Sequence, residues 1–108
     1  MVKQEVEVVN ALGIHARPSS LIVKTAQKYR SSIFLVKSGA KADAKSIMSL
    51  MMLSATCGSK VMIEATGEDE KEALDELVTL FKYNFYENDL GEVISGKEVN
   101  QKESEKDE

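Results

Sequence analysis

The sequence predicts a two-layer α+β open-faced sandwich: a four-stranded antiparallel sheet covered on one face by three helices. Three observations carry this. Four short apolar segments read as strands, and the first, Gln4 to Val9, alternates apolar and polar residues as a half-buried strand does. Three others repeat apolar residues every three or four positions, as amphipathic helices do. The two kinds interleave in the order β-α-β-β-α-β-α, within a length of 108 residues that suits one compact domain and a short extension.

Each element follows from its residues. Gln4 to Val9 alternates, with Val6 and Val8 on one face and Glu5 and Glu7 on the other, and reads as the first strand. Asn10 to Ile14 is a loop with Gly13 as its flexible point. A helix follows from Ala16 to about Tyr29, turning Leu21, Ile22, Thr25, Ala26 and Tyr29 inward. Ser32 to Lys37 is the second strand, Ser38-Gly39 a two-residue hairpin turn, and Ala40 to Asp43 a short edge strand. Ser46 opens a second helix through Leu53. Lys60 to Thr66 is the fourth strand. Asp69 starts the third helix, with Glu72 completing an acidic variant of the capping box. Leu74, Leu77, Val78, Phe81 and Phe85 form its apolar stripe.

A right-handed crossover between strands one and two leaves room for strand four between them, giving the sheet order 1-4-2-3. The uncovered face accounts for Glu5, Glu7 and Glu64 at alternating positions.

Charge divides the chain at residue 86. Residues 1–86 carry eleven Lys/Arg against ten Asp/Glu, a net of +1. Residues 87–108 carry three Lys against eight Asp/Glu, a net of −5. The first segment is expected to be the domain. The second is expected to be an acidic, flexible tail in which Leu90 to Ile94 could make a transient contact. No basic stripe marks a nucleic-acid footprint. No apolar run approaches the ~20 residues of a membrane span. The start, MVKQEVEVV, lacks the apolar core of a secretory signal, so a cytoplasmic protein is expected. Cys57 is the only cysteine and His15 the only histidine, which excludes a disulfide within the chain and a zinc site built from such ligands. No cofactor is implied.

The stretch GIHARPSS gathers that single histidine, the only proline and an arginine ahead of the first helix. His15 falls at the N-cap and Pro18 in the first turn, where a missing N–H is harmless. The amides of Ala16 and Arg17 then face out of the helix end, where the dipole favours an anion. The Arg17 guanidinium can grip phosphate oxygens with two N–H groups. A neutral imidazole is a nucleophile near pH 7. Together these make a site where a phosphoryl group can move onto nitrogen with its charge met by donors already in place. A histidine at a helix start also serves simply as a cap or surface residue.

GIHARPSSLIVKTA resembles the active-site signature of the HPr family, the histidine-containing phosphocarriers of the phosphoenolpyruvate-dependent phosphotransferase system. KSIMSLMML, Lys45 to Leu53, is similar to the family's regulatory serine and the helix it opens; ATGEDEKEAL agrees too. The resemblance covers residues 1 to about 86. It implies that His15 accepts phosphate on Nδ1 from enzyme I and passes it to the A domain or subunit of an enzyme II. Arg17 would stabilise the moving phosphoryl group. Ser46 would be the target of an ATP-dependent HPr kinase/phosphorylase. The chain would be a relay in sugar uptake, and a monomer, rather than an enzyme with its own turnover. A purely regulatory relay, nitrogen-type or otherwise independent of transport, would use the same chemistry.

Ser46 also has an ordinary explanation as an N-cap. If phosphorylated, it would act through added charge, since the fold is expected to bring the two helix starts to one end of the molecule. The helix IMSLMML has more apolar residues than one inward face can bury. Leu50 and Leu53 suit the core, with Ile47 a third candidate. The methionines either fill core gaps or form an exposed, adaptable docking patch. The resemblance favours docking for Ile47, Met48 and Met51. Leu12, Ser49 and Ser54 depart from residues common in the family, and the tail exceeds its usual length. Two readings from other classes stay open: a small enzyme using His15 as acid or base, which lacks a second catalytic group nearby in sequence, and a non-catalytic interaction module.

Overall fold

A computed structural model of the protein describes residues 1–10 and 12–86. The tail, 87–108, and the contact expected at Leu90 to Ile94 lie outside the described residues. The elements are β1 (Val2–Glu7), α1 (Ala16–Ala26), β2 (Ser32–Lys37), β3 (Ala40–Asp43), α2 (Ile47–Met52), β4 (Lys60–Thr66) and α3 (Glu70–Lys82), then a short 3-10 turn, Asn84–Tyr86. The sheet order is β1-β4-β2-β3 with every pairing antiparallel, as the crossover argument requires.

Register explains the two faces. Val6 opposes Val61, Leu35 opposes Ile63 and Ala42, and Ile33 opposes Ala65, all on the helix side. Lys3 opposes Glu64 and Glu7 opposes Lys60 on the other side. There Lys41 sits 4.7 Å over the Phe34 ring and 3.8 Å from Glu64. α3 packs on β1 and β4, α2 on β3, and α1 on both other helices. The core is aliphatic, centred on Ile22, Ile33, Leu35, Leu50, Ile63 and Leu77, with Phe81 and Phe85 at one end.

Several boundaries differ from the sequence expectation. β1 runs two residues earlier, because its ladder with β4 ends at Glu7 opposite Lys60. Val8 stays buried but bonds the loop, donating to Ser59 and accepting from Gly58. α1 stops at Ala26; Lys28 and Tyr29 then reach back only three residues, to Thr25 and Ala26. Ser38 and Gly39 both take left-handed φ values, 50° and 84°, the backbone of a tight hairpin.

Two expectations for α3 are corrected. Asp69 is its N-cap but makes no side-chain capping bond, and no capping box forms. Its carboxylate accepts instead from the Arg30 and Ser31 amides, 2.9 and 3.0 Å away, and from the Ser31 hydroxyl. A tertiary stitch with three donors outcompetes one local amide. Phe85 is buried, yet not as the last residue of a helical stripe. α3 ends at Lys82, and left-handed Asn84, Phe85 and Tyr86 turn the chain so that Phe85 meets Phe81 edge-on at 4.8 Å. Burial of the ring offsets that backbone conformation.

Candidate functional site

The loop before α1 is held by its own main chain. Gly13 has φ +71°, and a Cβ there would lie 2.5 Å from the Ala55 carbonyl, so only glycine allows this approach. One residue on, the Ile14 amide donates to that same carbonyl at 2.8 Å. The Gly13 carbonyl accepts from the Asn10 side-chain amide at 2.7 Å and from the His15 amide at 3.1 Å. The segment carrying His15 is therefore pinned to the loop that follows α2.

His15 is the N-cap of α1, with extended backbone (φ −107°, ψ −161°), and its imidazole makes no capping bond to the helix. Its carbonyl accepts from the Ser19 amide at 2.9 Å, which closes the first turn. His15 is half-buried, Pro18 is fully buried and Ala16 is exposed. Arg17 follows in the same turn. Its Nη1 donates to the Phe85 carbonyl at 2.7 Å, tying the turn after α3 to the start of α1. His15, Ala16 and Arg17 thus stand together at one helix end, as the sequence placed them.

Ser46 is the N-cap of α2, and its hydroxyl accepts from the Ser49 amide at 3.2 Å. It does not share an end of the fold with His15. Lys45 donates to the Tyr29 carbonyl at 2.9 Å, so α2 begins beside the end of α1. Ala55, just past the end of α2, bonds Ile14 before α1. The two helices run antiparallel, which separates their starts and corrects the expected juxtaposition.

α2 divides as its composition requires. Leu50 and Leu53 are buried, whereas Ile47, Met48 and Met51 are 42%, 72% and 45% exposed. Met52, not among the residues selected from sequence, is 78% exposed and extends the patch. Leu12, in the loop before His15, is also exposed.

Sequence reasoning missed Asn10 and Phe85. An asparagine three residues before a glycine is a turn signal in hindsight. The Phe85 carbonyl is a main-chain group 68 residues from Arg17, and no side-chain pattern points to it. Among the described residues, no group of three or more His, Cys, Asp or Glu side chains could hold a metal, and no helix is long and apolar enough to cross a membrane.

Comparison with known proteins adds identity to this geometry. The profile of the family described as "PTS HPr component phosphorylation site" matches residues 2–83. HPr-like protein Crh of Bacillus subtilis is 49% identical over 77 residues, covering 71% of this chain and 91% of Crh. The phosphocarrier protein HPr of Neisseria meningitidis (strain MC58) is 39% identical over 89 residues, 82% of this chain and all of that protein. HPr from Thermoanaerobacter tengcongensis superimposes with a TM-score of 0.79 at 42% identity, covering 82% of this chain and 99% of its own. That HPr has also been solved as a dimer, matched with a TM-score of 0.63 at 42% identity over 79% of this chain and 98% of the dimer's chain. A profile that spans all four strands and all three helices, with relatives aligned over nearly their whole length, leaves no ambiguity of class: the chain belongs to the HPr family of the phosphotransferase system.

Proposed function

We propose that the protein is a phosphocarrier whose domain is residues 1–86 and whose acceptor is His15. The imidazole nitrogen Nδ1 attacks the phosphorus of phospho-enzyme I. The bond from phosphorus to the donor nitrogen breaks, and its electron pair stays with the donor. The phosphoryl group then passes from His15 to the A domain or subunit of an enzyme II. No small substrate is turned over, so the chain acts as a covalent intermediate in the cytoplasm. The observation that carries this reading is the helix end: an imidazole outside the cap bonding, the first-turn amide of Ala16 and a guanidinium two residues on.

Arg17 supports the reading through its anchor. One guanidinium nitrogen holds the Phe85 carbonyl, which keeps the cation beside the helix end before any phosphate arrives. Ile47, Met48 and Met51 form the face that enzyme I and the enzyme II domains cover in turn. Ser46 is the target of an HPr kinase/phosphorylase. Because Ser46 opens α2 away from His15, its phosphate would act on that docking face rather than on the imidazole. The carrier is proposed to work as a monomer, although a relative has been solved as a dimer.

The test is incubation with enzyme I and phosphoenolpyruvate, followed by intact mass. One acid-labile, base-stable phosphate on His15 is expected; label on another residue would sink the assignment. A second reading is favoured by the 49% identity to Crh, which a solved structure describes as a catabolite repression HPr. In it, the same His15 chemistry serves regulation. Transfer from His15 to an enzyme II A domain separates the two.

A further inference from the structure

We infer that the exposed face of α2 is covered in cis by the chain's own C-terminal segment, with Leu90, Val93 and Ile94 seated on Met48, Met51 and Met52. The inference rests on that face being the docking surface proposed above. It would make the segment an internal competitor of enzyme I.

The face itself is the first reason. Leu50 is the one buried residue of α2, and four apolar neighbours on this six-residue helix stand exposed. A contiguous apolar patch on a small domain marks a surface that something covers.

Charge selects the occupant. From Val8 to Ile63 the chain carries two arginines and six lysines against a single acid, Asp43. On the α1–α2 side, Lys37 and Lys45 donate to the main-chain carbonyls of Ser54 and Tyr29, not to carboxylates. Beyond Tyr86 the balance reverses, to eight acids against three lysines. The one apolar run there, Leu90, Val93 and Ile94, is threaded by Asp89 and Glu92. An apolar stripe with acidic edges complements an apolar patch with basic edges.

Reach is the third reason. Phe85 is buried and its carbonyl is held by Arg17, so the chain leaves the domain beside the start of α1. From there, the Ile14–Ala55 bond leads to the end of α2, three residues back at Met52. Four residues from Tyr86 to Leu90 extend up to ~14 Å, and eight to Ile94 up to ~28 Å. A tether that short gives a local concentration in the millimolar range, so a weak contact suffices. A second copy or a separate partner has no such advantage.

The experiment compares the full-length chain with a full-length variant combining Leu90→Ser, Val93→Ser and Ile94→Ser. Dilute hydrogen peroxide transfers one oxygen to a methionine sulfur, giving sulfoxide and water, at a rate set by exposure. Site-resolved mass spectrometry should show Met48, Met51 and Met52 oxidising several-fold faster in the variant, with Met1 and Met62 unchanged. His15 labelling should also be faster in the variant at limiting carrier, and equal at saturation. Equal oxidation rates in both chains overturn the inference. Wild-type protection that rises with protein concentration overturns it too, and assigns the face to a second copy. If neither chain takes phosphate from enzyme I, the carrier reading fails, while the oxidation rates still decide what covers α2.

Discussion

The starts of α1 and α3 are occupied by the two N-caps, His15 and Asp69, that make no side-chain capping bond. They are otherwise opposites. The Asp69 carboxylate gathers two amides and a hydroxyl from the loop between α1 and β2, and the Ser31 hydroxyl and Arg30 amide hold its pKa at about 2. At His15 the bracing falls to other groups: Asn10, the Gly13 carbonyl and the Ile14–Ala55 bond. One helix start uses its cap residue to build the fold. The other builds the fold around its cap residue and leaves it half-exposed. Stability and chemistry should therefore separate by residue.

The sharpest break of that comparison is a double dissociation. His15→Ala should abolish phosphate uptake from enzyme I and leave the thermal midpoint within error of wild type. Asp69→Asn should lower the midpoint and leave labelling intact. Intact-mass labelling and thermal unfolding of both variants check this. A His15→Ala chain that unfolds early would place the imidazole in the scaffold after all.

Arg17 tests whether the site's cation belongs with the chemistry. Arg17→Ala removes the bond to the Phe85 carbonyl, and that bond by itself contributes about 1 kcal/mol if the carbonyl finds water. Transfer should slow far more, on the order of 100-fold, because the guanidinium acts on charge present only when phosphate arrives. Single-turnover labelling and urea unfolding, compared in free energy, give the ratio. Equal losses would make Arg17 a strut.

The Asp69 side carries its own pH signature. Its carboxyl titrates at about 2 in the fold, against 3.8 ordinarily. The unfolded chain therefore binds the extra proton first, and stability from this group rises with pH across that interval. The contribution is complete above 3.8 and is lost as pH falls through about 2. Asp69→Asn should flatten that part of the acid-unfolding curve, measured by circular dichroism, without altering its shape near neutrality.

How much of this contrast the sequence carried depends on the kind of bond. Apolar spacing and turn signals located β2, β3 and β4 at their observed bounds, and the handedness of the crossover gave the strand order, since these depend on local patterns and chain geometry. The same spacing placed His15 and Ser46 at helix starts. It misjudged Asp69, because a capping box and a tertiary stitch begin with the same residue, and only the position of Ser31 decides between them. It missed the Phe85 carbonyl because a main-chain acceptor leaves no mark on composition. The relation of Ser46 to His15 went wrong for a related reason: two N-caps say nothing about whether their helices run parallel.

Ser46 gives the smallest and most discriminating effect, because it is the N-cap whose side chain does bond its own helix. Ser46→Ala removes the 3.2 Å bond to the Ser49 amide, and should cost on the order of 1 kcal/mol in unfolding free energy. Labelling at His15 should be unchanged, since α2 begins at the far end of α1. Ser46→Asp keeps an acceptor at the cap and adds one negative charge at the edge of the α2 face. It should fold as stably as wild type yet label a few-fold more slowly at low salt, with the difference shrinking at high salt as screening sets in. A phosphate, with about −1.5 to −2 charges, should do the same more strongly. Initial labelling rates at two ionic strengths for wild type, Ser46→Ala and Ser46→Asp check all three. If the Asp variant labels at the wild-type rate in low salt, charge at the start of α2 does not reach the docking step, and Ser46 is a cap alone.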